Sequence, residues 1–282
     1  MRRLTALPDN PPYLNWYINI RDAKHRTTRT CLVAAHALIE ERYNAYAHAI
    51  DQGDQASLHS NAQALNLSNS LRACYDGATL PLKELKKAII NAQPRRLLKY
   101  CPMCGTTLPS TFDHYMPAVT FPEFAVHPLN LVPCCAKCNS TKGDDWLSAA
   151  GNRQFMHAYI DQVPNLQFVF VTLYEDQALD GVGAIFSLRK PKGLSSVLWE
   201  LIESHFFCLK LIDRYNERSN DEVAEILAAC RSYCDAEGQH VRDFLSRQAF
   251  DRSMVYGRNH WIAVLMCALA YHQKLEIWIG AV

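Results

Sequence analysis

The chain has 282 residues, of which 49% are hydrophobic and 20% are charged, and its formal net charge is +1 with histidine neutral. This composition is ordinary for a soluble globular protein, and the length can bury one large core or two modest ones. The balanced charge excludes a generally basic chain, so any basic binding surface must be local. No apolar run reaches the roughly 20 residues that span a bilayer, so we expect a cytoplasmic protein without a membrane partner.

The sequence contains eleven cysteines. Their number is odd, the chain is long enough to form a core, and we expect no signal peptide, so a disulfide framework is disfavoured. CxxC pairs in such a chain more often bind a metal ion.

In chain order, the first hundred residues are predicted to be helical. Apolar residues recur at helical spacing over residues 32–46. Two further helices are predicted over residues 57–74 and 82–91, and Pro94 ends the second of these.

Between residues 101 and 143, frequent prolines exclude a continuous helix and favour short extended pieces joined by turns. The stretch from Cys135 to about Trp146 can begin a helix, because nothing interrupts it before Gly143. Strand-like runs follow over residues 167–174 and 183–189, and Asp180-Gly181 predicts a hairpin turn between them. The rest of the chain is predicted to be helical from residue 194, with helices over 221–234 and 259–272.

Two CxxC pairs lie in the middle of the chain, Cys101 with Cys104 and Cys135 with Cys138. Together they can supply the four thiolates of a structural zinc site. The gap between the pairs is longer than in a simple zinc ribbon, so the site would close around an inserted element. Cys134 could replace Cys135, but only Cys135 completes a CxxC pair, and we prefer it.

The inserted element carries the residue types that phosphodiester hydrolysis requires. Histidine is the side chain best able to act as a base near neutral pH, and a hard divalent cation prefers carboxylate and amide oxygens. Asp113 and His114 are adjacent, and side chains of neighbouring strand residues alternate between faces, so one can serve the metal and the other the water. Asn139 follows a zinc ligand, so its amide oxygen could share the cation. Lys142 is one helical turn further on and could reach phosphate.

These residues resemble the pattern of the HNH endonucleases, the ββα-metal nuclease family. That pattern has Asp-His on a first strand, Asn-Leu-Val on a second, and C-x-x-C-[HN]-x-x-K-G at the start of a helix. Here these are Asp113-His114, residues 130–132 and residues 135–143. The resemblance implies that His114 is the general base and that Asn130 braces its loop through hydrogen bonds. It also implies that Asp113 and Asn139 bind the metal.

Many HNH proteins have histidine where this chain has Asn139, which makes it an HNN variant. Asparagine is a good ligand for Mg²⁺ and a weaker one for soft metals, so we expect Mg²⁺ or Mn²⁺ as the catalytic ion beside structural Zn²⁺. The layout is also similar to phage Holliday-junction resolvases of this superfamily, in which an asparagine likewise follows the last cysteine.

Four basic residues are predicted to contact nucleic acid: Lys142, Lys137, Arg95 and Arg96. His127 and Glu123 are weaker candidates for the site. His127 lies between valine and proline, and a histidine in that setting is more typical of a turn.

We expect an α+β, mostly helical fold in which helical extensions surround a central zinc-stapled ββα core. The predicted domains are a helical region over residues 1–98, the HNH core over 99–149, and a β-hairpin followed by helices over 150–282.

The leading hypothesis is a metal-dependent endonuclease that hydrolyses DNA. In architecture the chain resembles the HNH effector subunits of bacterial antiphage systems of the Septu and retron types, which implies an ATPase partner. Cutting both strands requires two centres or two events, so a homodimer is plausible. Two alternatives remain open: a non-catalytic zinc module that binds nucleic acid or protein, and a structure-selective or RNA-directed nuclease.

Overall fold

A computed structural model describes residues 2–176 and 181–281 of the protein. Within them, α-helices dominate and two small antiparallel sheets are present, which confirms the mostly helical α+β class. The helices are α1 (Tyr13–Asp22), α2 (Arg26–Ala34), α3 (His36–Gln52), α4 (Ala62–Asn66), α5 (Ser68–Asp76), α6 (Leu80–Asn91), α7 (Ala136–Lys142), α8 (Ser196–Cys208), α9 (Leu211–Asp235), α10 (Val241–Tyr256), α11 (Trp261–Tyr271) and α12 (Leu275–Ala281). The strands are β1 (Thr111–His114), β2 (Leu131–Cys134), β3 (Val169–Asp176) and β4 (Gly181–Leu188).

Two of the predicted N-terminal helices are interrupted in the structure. The predicted helix over residues 32–46 is wrong as one element, because α2 ends before Ala35 and α3 begins after it. The predicted helix over residues 57–74 is divided into α4 and α5. Asn61 begins α4 by accepting hydrogen bonds from the backbone nitrogens of Gln63 and Ala64 at 2.9 and 3.0 Å. The third prediction is confirmed by α6.

Strands β1 and β2 form an antiparallel pair, with Thr111 opposite Cys134 and His114 opposite Leu131. The connection between them, residues 115–130, is mostly buried. Helix α7 follows β2 directly and ends at Gly143, whose φ of 53° is left-handed. This confirms the predicted start of a helix near Cys135, but the helix ends at Lys142 and does not continue to Trp146.

The chain divides into two compact units. The first, which we call the N-terminal unit, comprises Arg3–Met103 and Thr107–Asp161. The second, the C-terminal unit, comprises the described residues of Met1–Arg2, Cys104–Thr106 and Gln162–Val282. The three domains predicted from the sequence have boundaries after residues 98 and 149, which differ from the boundaries of these two units. They stay predictions.

Aromatic packing holds the loop between β1 and β2 inside the N-terminal unit. The ring of Phe124 stacks on Tyr46 of α3 at 4.7 Å, and His127 lies edge-on to Tyr43 and Tyr46 at 4.4 and 4.8 Å. These side chains are buried. The N-terminal helices therefore supply the apolar material that the short ββα element lacks.

The C-terminal unit contains the predicted hairpin, in which β3 pairs with β4 from Val169↔Leu188 to Asp176↔Gly181. The turn residue Asp180 lies outside the described residues. The predicted helix from residue 194 ends at Cys208, and Lys210, with a φ of 51°, precedes α9. Helices α10 and α12 lie in the region predicted to be helical from residue 194, but neither was predicted as a separate element.

No single helix among the described residues has the length and apolar character needed to cross a membrane. Helices α11 and α12 meet that requirement only when taken together, and they are bent by 103° at the break between them.

Candidate metal centre and active-site cavity

The four predicted zinc ligands form a cluster. The sulfur atoms of Cys101, Cys104, Cys135 and Cys138 all lie within 4.8 Å of one another, and all four residues are buried. Four converging thiols are the donor set of a structural zinc site. Backbone nitrogens already point at the sulfurs: that of Cys135 lies 3.3 Å from Cys101 Sγ, and that of Cys138 lies 3.4 Å from Cys135 Sγ. The cluster can therefore hold a metal ion such as zinc.

Cys134 is not part of the cluster, so the preference for Cys135 is confirmed. Cys134 is the last residue of β2, and burial raises the pKa of its thiol to about 12. It therefore stays protonated at neutral pH, unlike a metal-ligating thiolate. No disulfide bond joins cysteines in the described parts of the chain.

A cavity of about 410 Å³ opens beside β1 and α7. Asp113, His114 and Asn139 all line it, so three of the four predicted catalytic residues meet at one site. Strand alternation predicted opposite faces for Asp113 and His114, but both line the same cavity. His114 is the last residue of β1, where the pleat ends.

The imidazole of His114 is held by the loop that follows β1. Its Nε2 lies 2.9 Å from the carbonyl oxygen of Ala125, and because a carbonyl only accepts, Nε2 must carry the proton. Nδ1 is then the basic nitrogen. Burial lowers the pKa of His114 to about 4, and the hydrogen bond to Ala125 opposes this shift. The ring is therefore neutral at pH 7 and can accept a proton.

Asn130 does not line the cavity but ties together the loop that follows His114. It is fully buried, and its amide oxygen accepts a hydrogen bond from the backbone nitrogen of Met116 at 2.8 Å. Its amide nitrogen donates to the carbonyls of Met116 and Phe124 at 3.0 and 3.1 Å. Phe124 immediately precedes Ala125, so Asn130 fixes the backbone next to the carbonyl that orients His114.

An ion pair with α3 also holds the loop between β1 and β2. The guanidinium Nε of Arg42, on α3, lies 2.8 Å from Glu123 Oε1, and the Glu123 side chain is fully buried. Burial raises the pKa of Glu123, while Arg42 opposes the shift. Glu123, a weak candidate for catalysis, thus anchors the loop near Ala125.

Lys142 lies in the core, which corrects its predicted role as a phosphate contact. Its ammonium is fully buried and donates to Asp113 Oδ1 at 3.1 Å and to the carbonyl oxygen of His114 at 2.8 Å. It thereby joins the end of α7 to β1. Burial raises the pKa of Asp113, and Lys142 opposes the shift. Lys142 is thus bound to the Asp-His pair and not presented to solvent.

The other three predicted nucleic-acid contacts, Lys137, Arg95 and Arg96, are exposed, and none of them lines the cavity. Residues that sequence reasoning did not single out do line it. Arg72, Tyr75 and Asp76 project from α5, and Asp144 follows α7. No motif marked α5, because it lies far upstream of the cysteines and its pattern reads only as an amphipathic helix.

Two side chains that line the cavity, Asp113 and Asn139, carry oxygen atoms of the kind that hard divalent cations prefer. Asp113 Oδ2 is buried and has no hydrogen-bond partner among the residues that the structure describes. The amide nitrogen of Asn139 faces Thr111 Oγ1 at 3.4 Å, which leaves its amide oxygen for another partner. A carboxylate oxygen and an amide oxygen are suitable ligands for Mg²⁺.

No protein-family model matches the sequence, and no solved structure matches the protein. Protein ea31 of Escherichia phage lambda is 28% identical over 154 residues, which are 54% of this chain and 50% of ea31. The chain thus matches about half the length of this relative, whose name states no activity.

Proposed function

We propose that the protein is a metal-dependent endonuclease of the HNH type that hydrolyses DNA. One observation carries the proposal. Asp113, His114 and Asn139 line one cavity, and the basic nitrogen of His114 is set by the hydrogen bond from Nε2 to Ala125. The buried four-cysteine cluster supports it further, because it includes the residue immediately before Asn139.

In the proposed reaction, Nδ1 of His114 takes a proton from a water molecule whose oxygen attacks the phosphorus. The bond from phosphorus to the leaving 3′ oxygen breaks, and that oxygen takes up a proton from solvent. The imidazolium that forms is stabilised by the Ala125 carbonyl, since the hydrogen bond from Nε2 strengthens when the ring becomes charged. Mg²⁺ or Mn²⁺ held by Asp113 and Asn139 would stabilise negative charge on the phosphate.

The test is plasmid cleavage by the purified protein with and without Mg²⁺, compared with His114→Ala. We expect the wild type to nick or linearise the plasmid only with Mg²⁺. The cleavage rate of the variant should be at least about 100-fold lower, because proton transfer by a positioned base contributes that much. Circular dichroism and zinc content should be unchanged in the variant. Cleavage by His114→Ala at the wild-type rate would refute the proposed base.

A second candidate is a non-catalytic zinc module, and the Lys142–Asp113 pair favours it. A buried lysine that neutralises Asp113 gives this carboxylate a structural role that requires no chemistry. Under this alternative, neither protein cleaves the plasmid, while changes to the cluster cysteines still unfold the site.

An ATPase partner and a role in antiphage defence are further proposals, supported only by the sequence resemblance. An ATPase gene adjacent to the gene for this protein would support them, and cleavage by the isolated protein at full rate would argue against a required partner.

A further inference from the structure

We infer that Arg72 binds substrate phosphate at the cavity, in the role that the sequence suggested for Lys142. This inference rests on the proposed function, because it identifies how the same cavity recognises its substrate. Arg72 is the only lysine or arginine among the described residues that line the cavity.

The position of Arg72 is fixed by its neighbour on α5. Tyr75 lies three residues further along the helix, so both side chains project from the same face. The Tyr75 ring lies edge-on to His114 with 4.4 Å between ring centroids, and its hydroxyl lies 3.4 Å from the carbonyl oxygen of Phe112 in the strand that carries His114. Arg72 is therefore held about one helical turn from the ring that packs on the proposed base.

The guanidinium of Arg72 is available to a ligand. The residue is exposed, and no hydrogen bond or ion pair joins its side chain to another residue in the described parts of the chain. Lys142, in contrast, uses its ammonium on Asp113 and His114.

Among the charged residues that line the cavity, Arg72 is the source of positive charge for a phosphate. Carboxylates of Asp76, Asp113 and Asp144 line the cavity, and the buried Lys142 already balances Asp113. A phosphodiester entering this space requires positive charge on the protein side. A guanidinium matches phosphate oxygens with two parallel hydrogen bonds, which an ammonium cannot do.

The experiment measures binding separately from cleavage. Binding of a short fluorescein-labelled DNA duplex is followed by fluorescence anisotropy at several salt concentrations, in the His114→Ala background so that the DNA stays intact. Arg72→Ala should weaken binding by roughly tenfold and lower the slope of log K against log salt by about one. Arg72→Lys should recover the slope but only part of the affinity. Arg26→Ala, which removes an exposed arginine of α2 outside the cavity, should bind like its parent.

Unchanged affinity and salt slope in Arg72→Ala would overturn the inference, as would a parent protein that binds no DNA. The outcome is distinct from that of the proposed function. A protein that cleaves through His114 but binds normally without Arg72 is a nuclease for which this inference fails. If the protein needs Arg72 to bind DNA but cleaves no DNA, the inference about Arg72 holds and the proposed nuclease activity fails.

Discussion

At the scale of single residues, Lys142 illustrates what a spacing argument can and cannot predict. Its position one helical turn after Asn139 predicted that it shares a helix face with Asn139 and reaches phosphate. The spacing could not reveal that the end of α7 packs against β1, which buries the ammonium and turns it towards Asp113 Oδ1 and the His114 carbonyl. Burial depends on tertiary packing, and a sequence motif does not contain that information.

Removal of one partner from the buried Lys142–Asp113 pair should strongly destabilise the fold. Lys142→Met keeps most of the side-chain volume but leaves the Asp113 carboxylate buried without a counter-charge. We expect the free energy of unfolding to fall by about 3–5 kcal/mol, as when one partner of a buried pair is removed. Urea denaturation of the two proteins at neutral pH measures the difference.

Two variants control this prediction. Lys137→Met removes an exposed lysine from the same helix and should change stability by less than about 0.5 kcal/mol. Asp113→Asn combined with Lys142→Met should recover part of the loss, because no charge is left buried alone. Equal losses in Lys142→Met and Lys137→Met would show that the ion pair contributes little.

At the scale of elements, a helix or strand could be predicted from the sequence when residues within or next to it determine its structure. Helix α7 was predicted because Gly143 ends it, and the β3–β4 hairpin because its residues are β-branched and aromatic. The break at Ala35 has no such signal: alanine is a strong helix former, and the change of direction is set by packing. The contribution of α5 to the cavity was missed for the same reason, since Arg72 and His114 come to line one cavity only through the tertiary fold.

The cysteine cluster gives a prediction about α7, whose first turn contains Cys138 and whose N-cap is Cys135. The purified protein should contain about one zinc ion per chain, and Cys138→Ser should lose it and unfold at lower temperature, because binding of a structural metal contributes to folding free energy. Zinc content by mass spectrometry and thermal denaturation measure both effects. Cys134→Ser removes a buried cysteine outside the cluster and should retain the zinc. Zinc loss in both variants, or in neither, would contradict the assignment of the ligands.

At the scale of the whole molecule, the N-terminal unit contains buried histidines whose rings are neutral in the folded protein. Nδ1 of His127 accepts a hydrogen bond from the backbone nitrogen of Leu129 at 3.2 Å, and Nδ1 of His157 accepts one from that of Tyr159 at 3.3 Å. Both histidines are buried. Burial lowers the pKa of each to about 3, because a charged ring would be desolvated.

These shifts predict that acid destabilises the protein well above the pH at which carboxylates titrate. The unfolded chain binds protons at the ordinary histidine pKa near 6.5, whereas the folded protein does not bind them until about pH 3. The stabilisation is therefore present above about pH 6.5 and is lost as the pH falls from there towards 3. As the pH falls from about 7.5 to 5.5, proton uptake by each histidine in the unfolded chain should lower the free energy of unfolding by about 1.4 kcal/mol.

Urea denaturation across this pH range, compared between the wild type and His127→Asn, isolates one histidine. The asparagine oxygen can still accept the hydrogen bond from Leu129 but cannot take up a proton, so any constant loss of stability is separate from the pH dependence. We expect the decline of the variant between about pH 7.5 and 5.5 to be smaller by about 1.4 kcal/mol. Parallel curves for the two proteins would mean that His127 is protonated equally in the folded and unfolded chains, and thus that the interior around α3 admits water.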